Sequence, residues 1–184
     1  MTKRQTHSVK IAGLTRNLPL FEVAPGVRIA IFNMLGDTEI VQAAAKALVK
    51  RIPKEAQALI TAEAKSIPLA HALSVESGLP YLVLRKSYKP YMGETVSAET
   101  LSITTGQPQT LYLDEKDRAL VEGRKVVLVD DVISTGSTLQ GMRLIVEKAG
   151  GQLVATMAVF TEGERAKWKD IIALGHLPVF TDEP

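Results

Sequence analysis

Residues 125–149 constrain this chain most. Lys125-Val126-Val127-Leu128-Val129 is a β-branched apolar run of the kind buried on both faces of a parallel sheet. It leads directly into Asp130-Asp131, then into Val132-Ile133-Ser134-Thr135-Gly136. A helical pattern follows from about Ser137 to Ala149, with Met142, Ile145, Val146 and Ala149 on one face and Gly150-Gly151 as its stop. Strand, acidic pair, hydroxyl-rich glycine loop and helix in series gather polar groups at the carboxyl end of a central strand.

The rest of the chain repeats the alternation. Val27 to Phe32 reads as a strand. After Gly36, Asp37 or Thr38 is placed to cap a helix burying Val41, Ala44, Ala45, Leu48, Val49 and Ile52, which Pro53 ends. Ala58 to Ile60 is a short buried strand, Pro68 to Ser77 a helix closed by Gly78, and Tyr81 to Leu84 the next strand. Lys86 to Glu94 has no periodicity and reads as a loop. Thr95 to Ile103 and Thr110 to Leu113 form an expected hairpin turning at Thr105-Gly106-Gln107-Pro108. Leu153 to Phe160 completes the strands. Strands and helices in turn imply an α/β fold, a mainly parallel sheet flanked by helices. In such sheets ligands sit beyond the carboxyl ends of the strands, here after Ile60, Leu84 and Val129.

Size and composition narrow the function classes. With 184 residues the chain suits a single domain, 1–184. The net charge of +2 arises from basic residues spread along the chain, which argues against nucleic-acid binding. Cysteine is absent, excluding disulfides, thiolate nucleophiles and cysteine-ligated metals, and a cytoplasmic protein is expected. The polar N-terminus is not followed by a signal-peptide core, and no apolar run approaches the roughly 20 residues that span a bilayer.

Ser134, Thr135, Gly136, Ser137 and Thr138 offer successive amides and hydroxyls at a helix N-terminus, a natural cradle for a phosphate dianion. A pure phosphate site would avoid Asp130 and Asp131, which repel the dianion. They make sense if the ligand carries a diol or a metal near its phosphate, as a ribose 5-phosphate does with its 2′- and 3′-hydroxyls. The alternative is that the two aspartates only finish the strand. Neither the P-loop pattern nor the dinucleotide-binding glycine pattern is present.

The run Val127 to Thr138 resembles the 5-phosphoribosyl-1-pyrophosphate (PRPP) signature of the type I phosphoribosyltransferases, and the chain from about Leu18 to Glu162 is most similar to their adenine-specific branch. Leu20 to Val27 looks like that branch's N-terminal hood (about residues 1–30), with Phe21, Val23, Ala24 and Val27 implied as the base-binding residues. Glu63-Ala64-Lys65-Ser66 sits where the family has its pyrophosphate loop. Leu84-Arg85-Lys86 with Pro90 to Glu94 matches the start of its mobile catalytic loop and hairpin, about residues 86–108.

The resemblance implies attack of a purine nitrogen on C1 of Mg-PRPP with release of pyrophosphate, adenine being the favoured base and xanthine, guanine or hypoxanthine the alternatives. Asp130 and Asp131 would hold the ribose, and Ala64, Lys65, Arg85 and Lys86 the pyrophosphate. Mg²⁺ would be held mainly by PRPP itself, with no protein side chains dedicated to it. Asp131, Arg85 and Glu99 are the implied catalytic residues. Glu99 or Glu94 is invoked because Thr104-Thr105-Gly106 stands where the branch has Glu-Tyr-Gly. Lys65-Ser66 replaces Arg-Gly, keeping the charge and losing the guanidinium fork. A homodimer is implied. A non-catalytic PRPP sensor is the other reading, although the stretch before Leu20 is short for a DNA-binding module. His7, His71 and His176 share no ligand spacing, and Trp168 is expected to pack a satellite cluster.

Overall fold

The computed structural model describes residues 5–101 and 108–181. In chain order its elements are β1 (Thr6–Ile11), β2 (Leu14–Ala24), β3 (Val27–Ala30), α1 (Thr38–Leu48), β4 (Ala58–Ala62), α2 (Ile67–Ser77), β5 (Tyr81–Leu84) and β6 (Val96–Leu101). They continue with β7 (Pro108–Leu113), β8 (Lys125–Ile133), α3 (Ser137–Lys148), β9 (Gln152–Glu162), β10 (Ile171–Leu177) and β11 (Val179–Thr181).

The central sheet is all parallel in the order β10-β9-β8-β4-β5, which is the α/β architecture expected. Its middle strand shows why the apolar run must lie inside. Val127 and Val129 face a core built with Ile40, Ala44 and Leu48 of α1 and Leu69 and Leu73 of α2. Val126 and Leu128 face the opposite core, with Met142, Ile145 and Val146 of α3 and Leu111 and Leu113 of β7. Successive side chains point to opposite faces, so a strand covered on both sides must be apolar at every step. Each large side chain fully buried this way contributes about 1.5–3 kcal/mol.

Local signals set the ends of the helices. Asp37 caps α1 by accepting from the Ile40 amide at 3.1 Å, and α2 closes at Gly78 in the left-handed region at φ 73°. The α-helical stretch of α1 stops at Leu48 and a 3-10 turn (Val49–Arg51) completes it, so it ends before Pro53. β8 differs more. It continues through Asp130 and Asp131 to Ile133, because β9 is long enough to pair with it as far as Thr161. The acidic pair therefore belongs to the strand itself.

An antiparallel sheet in the order β1-β2-β3-β11 joins both ends of the chain into one layer. Its first hairpin and β10 lie beyond the strands expected from the sequence. The hairpin β6–β7 has the register Val96↔Leu113 to Leu101↔Pro108, which puts Pro108 in a strand instead of the turn. Residues 102–107, which include Thr104 and the Thr105-Gly106-Gln107 part of the expected turn, lie outside the described residues. The hairpin is tied to the main sheet where the Arg85 and Tyr112 backbones exchange hydrogen bonds of 2.9 and 2.8 Å. No helix among the described residues is long and apolar enough to cross a membrane.

Candidate active site

The ends of β4, β5 and β8 meet at a cavity of about 190 Å³, lined by Lys65, Ser66, Lys86, Asp130, Asp131 and Thr138 among others. Two cations and two carboxylates that lie far apart in the sequence thus converge on one space. β8 delivers the acids, with Asp131 buried at 8% exposure and its amide donating to Asp130 Oδ1 at 2.9 Å. Burial and then the adjacent Asp131 charge push the Asp130 carboxyl up to about 7.

β4 leads into the turn 63–66, whose Glu63–Ala64 peptide is cis. This turn is anchored from below. Thr61 Oγ1 donates to Ser66 Oγ at 2.7 Å, and Ser66 Oγ donates to the Ala62 carbonyl at 3.2 Å, all among buried groups. Ser66 also reaches the Asp130 side chain, while Ala64 and Lys65 remain exposed on the cavity wall.

Beside the cavity, residues 134–138 form a shallow hollow at the start of α3. Gly136 is in the left-handed region at φ 83° and its carbonyl receives the Gln140 amide at 2.8 Å. Thr135 and Ser137 hydroxyls lie 3.2 Å apart, so the loop is pre-shaped by its own side chains. Its amides at a helix N-terminus favour an anion.

Arg85 departs from the expected constellation. Among the described residues it does not line the cavity that contains Lys86. Its Nε donates to Glu63 Oε2 at 2.7 Å, and the Lys86 amide donates to Glu63 Oε1 at 2.6 Å. Burial alone would raise the Glu63 carboxyl, but the Lys86 amide and the Arg85 guanidinium hold it below its usual value. Arg85 is correspondingly raised, first by Glu63.

The other expected residues lie apart from this centre. Phe21 and Val23 are both 52% exposed on β2, Ala24 is exposed at its end, and Val27 is half-buried opposite it on β3. Glu99 is exposed on β6 opposite Thr110, and the Glu94 amide is held by Glu115 at 2.9 Å. Neither the hood residues nor these glutamates line the cavity. A larger groove of about 630 Å³ between α1 and α2 holds none of the acidic pair or the 134–138 loop.

Two contributions to the site carry no signal in the sequence. Thr61, under the 63–66 turn, is an ordinary strand threonine by pattern. Trp168, expected in a satellite cluster, packs instead against the core shared by α3, β7 and β8, and it also covers Gly136. Of the histidines, His7 and His71 contact Phe180 and Tyr81 edge-on, and His176 Nδ1 lies 2.9 Å from Thr161 Oγ1.

Residues 33–177 match the family model described as a phosphoribosyl transferase domain. The hypoxanthine/guanine phosphoribosyltransferase of Methanococcus voltae is 32% identical over 156 residues, 84% of this chain and 76% of that protein. The enzyme of the same name from Methanocaldococcus jannaschii is 36% identical over 109 residues, 59% of this chain and 56% of its own. Among solved structures, the adenine phosphoribosyltransferase of Thermoanaerobacter pseudethanolicus superposes with a TM-score of 0.66 at 21% identity, covering 94% of this chain and 95% of that one. That of Saccharomyces cerevisiae gives 0.63 at 18% identity over 93% and 92%. The family match covers most of the chain, including β4, β5 and β8 that carry the cavity, and the chain belongs to the type I phosphoribosyltransferase family of enzymes.

Proposed function

We propose that the chain transfers the phosphoribosyl group of PRPP to a ring nitrogen of a purine base, releasing pyrophosphate. The observation that carries this reading is that the cavity lined by Lys65, Lys86, Asp130 and Asp131 adjoins the hollow of residues 134–138, with Asp130 and Thr138 lining both. That order follows PRPP itself: 5′-phosphate, ribose diol, pyrophosphate.

In this reading the amides and hydroxyls of residues 134–138 hold the 5′-phosphate, each charge-assisted bond contributing roughly 1.5–3 kcal/mol. Asp130 and Asp131 accept from the ribose hydroxyls, and their negative charge favours positive charge developing at C1 as the glycosidic bond breaks. Lys65, Lys86 and the Ala64 amide receive the departing pyrophosphate. Phe21, Val23, Ala24 and Val27 of the hood border the base, and the loop after Lys86 closes to exclude water. Two carboxylates are too few for an all-protein magnesium cage but suit an ion that completes its shell with PRPP and water oxygens. Bound Mg²⁺ would neutralise charge on the leaving pyrophosphate. A cytoplasmic homodimer is the assembly expected.

For the base, we favour a 6-oxopurine, supported by relatives that are 32% and 36% identical to the chain over the aligned residues and are named for hypoxanthine and guanine. Adenine, the base first expected from the sequence, is the second reading, supported by adenine-specific folds that share nearly the whole chain length. The test is pyrophosphate release from Mg-PRPP with adenine, guanine, hypoxanthine and xanthine offered separately. Turnover with a 6-oxopurine alone supports the first reading and turnover with adenine alone the second. Binding of PRPP without turnover on any base would point to a sensor.

A further inference from the structure

Resting on that function, we propose that Glu63 is a positioning residue that acts as a stand-in for pyrophosphate, parking Arg85 outside the cavity until the leaving group displaces it. Several observations support this. Glu63 presents both carboxylate oxygens to donors, Oε2 to Arg85 Nε at 2.7 Å and Oε1 to the Lys86 amide at 2.6 Å. That is the pairing a phosphate oxygen pair would seek. Glu63 also begins the 63–66 turn, so the parked guanidinium is bound to the same turn that lines the cavity.

The Arg85 backbone, in contrast, cannot move freely. Its amide and carbonyl are both paired with Tyr112, which leaves only the side chain to swing. The contact is also half-exposed, with side-chain exposures of 36% for Arg85 and 22% for Glu63. A partner exchange there does not require a buried charge to be stripped of all its contacts. Lys86 already lines the cavity, so it is Arg85 that remains to be recruited.

The consequence is that pyrophosphate must exchange with Glu63 to gain Arg85, and that Glu63 recaptures Arg85 as pyrophosphate leaves. A carboxylate in this place weakens product binding and favours release.

The test uses the full chain with inorganic pyrophosphate and ribose 5-phosphate titrated separately, each with Mg²⁺, into wild type, Glu63→Gln, Arg85→Gln and the double variant. Glutamine keeps an acceptor for the Lys86 amide but loses the charge that holds Arg85. Glu63→Gln is expected to bind pyrophosphate about tenfold tighter, the value of one weaker charge-assisted bond, with ribose 5-phosphate unchanged. The gain should largely vanish in the Arg85→Gln background. If it persists there undiminished, Glu63 acts only as a repelling charge and the proposal fails. It fails equally if Glu63→Gln binds pyrophosphate no tighter than wild type. Should Glu63→Gln not fold, Glu63→Asp keeps the charge but shortens the reach, and unchanged pyrophosphate affinity in that variant overturns the proposal. Wild type that binds neither ligand would instead refute the function on which this rests.

Discussion

Trp168 lies over Gly136 so closely that a Cβ at position 136 would stand 3.0 Å from Trp168 Cη2. The indole is fixed in place by its N–H, which donates to the Glu162 carbonyl at 2.8 Å. The turn after β9 thus roofs the loop that opens α3, and the loop's shape depends on a residue distant in the sequence as well as on its own residues.

Gly136→Val should therefore damage the site twice. The left-handed backbone costs an L-residue roughly 1–2 kcal/mol, and the side chain must also displace Trp168. We expect a lower Tm and a weaker affinity for ribose 5-phosphate. Gly136→Val in a Trp168→Ala background should recover the part due to the clash and leave the part due to φ. Thermal melts of the four proteins separate the two.

Asp131→Asn should weaken PRPP binding about 10–100-fold, the loss of one or more charge-assisted bonds to a ribose hydroxyl. The fold should survive, because asparagine has nearly the same shape and relieves repulsion with Asp130. A PRPP titration beside a thermal melt checks both halves. Undiminished PRPP affinity would remove the acidic pair from the ribose site.

Asp130 gives a pH signature. Its carboxyl is raised to about 7 by burial and then by Asp131. Between about pH 4, where it ionises when unfolded, and pH 7, the native state holds more protons than the unfolded state, so this group makes stability fall as pH rises. Asp130→Asn removes that penalty. The variant should gain roughly 2 kcal/mol over wild type at pH 8, discounted from the full shift because water reaches the carboxylate. The gain should disappear below pH 4. Urea unfolding at pH 4, 6 and 8 measures it.

Much of this was legible in the sequence because burial writes itself into residue type. β8 could be read from its unbroken apolar run, α1 from its spacing and the Asp37 cap, and the 134–138 loop from its hydroxyls and Gly136. The acidic pair was assigned beyond the strand because charged residues rarely continue a buried ladder, and only β9's length shows that here they do. The first hairpin escaped because half of β1 is exposed and its alternation is broken by polar residues. The state of Arg85 was beyond any pattern. A cation at a strand end reads the same whether it faces a ligand or, as here, a carboxylate at the end of the preceding strand. Trp168 over Gly136 is likewise a tertiary contact with no local signal.

Asp37 links the hood to the core and carries the remaining prediction. Its carboxylate caps α1 at the Ile40 amide and also receives Arg16 of β2, with Nε to Oδ2 at 2.7 Å and Nη2 to Oδ1 at 2.9 Å. These bonds, Arg16 first, hold the Asp37 carboxyl below its ordinary 3.8 despite partial burial. A depressed carboxyl contributes stability that is fully present above its unfolded value, near pH 4, and is lost as pH falls through the lower folded value. Asp37→Ala should cost about 1 kcal/mol at pH 7 through the lost cap, with a further loss from the freed Arg16. Asp37→Asn keeps the cap and gives up the charge, so its deficit should be the smaller one. Both deficits should be present in urea unfolding at pH 7, and the asparagine deficit should shrink as the pH is lowered below the unfolded value, near pH 4. If Asp37→Asn is as stable as wild type at pH 7, the ion pair between Arg16 and Asp37 contributes nothing, and β2 is held to α1 by packing and by the Arg16–Glu39 pair at 2.7 Å.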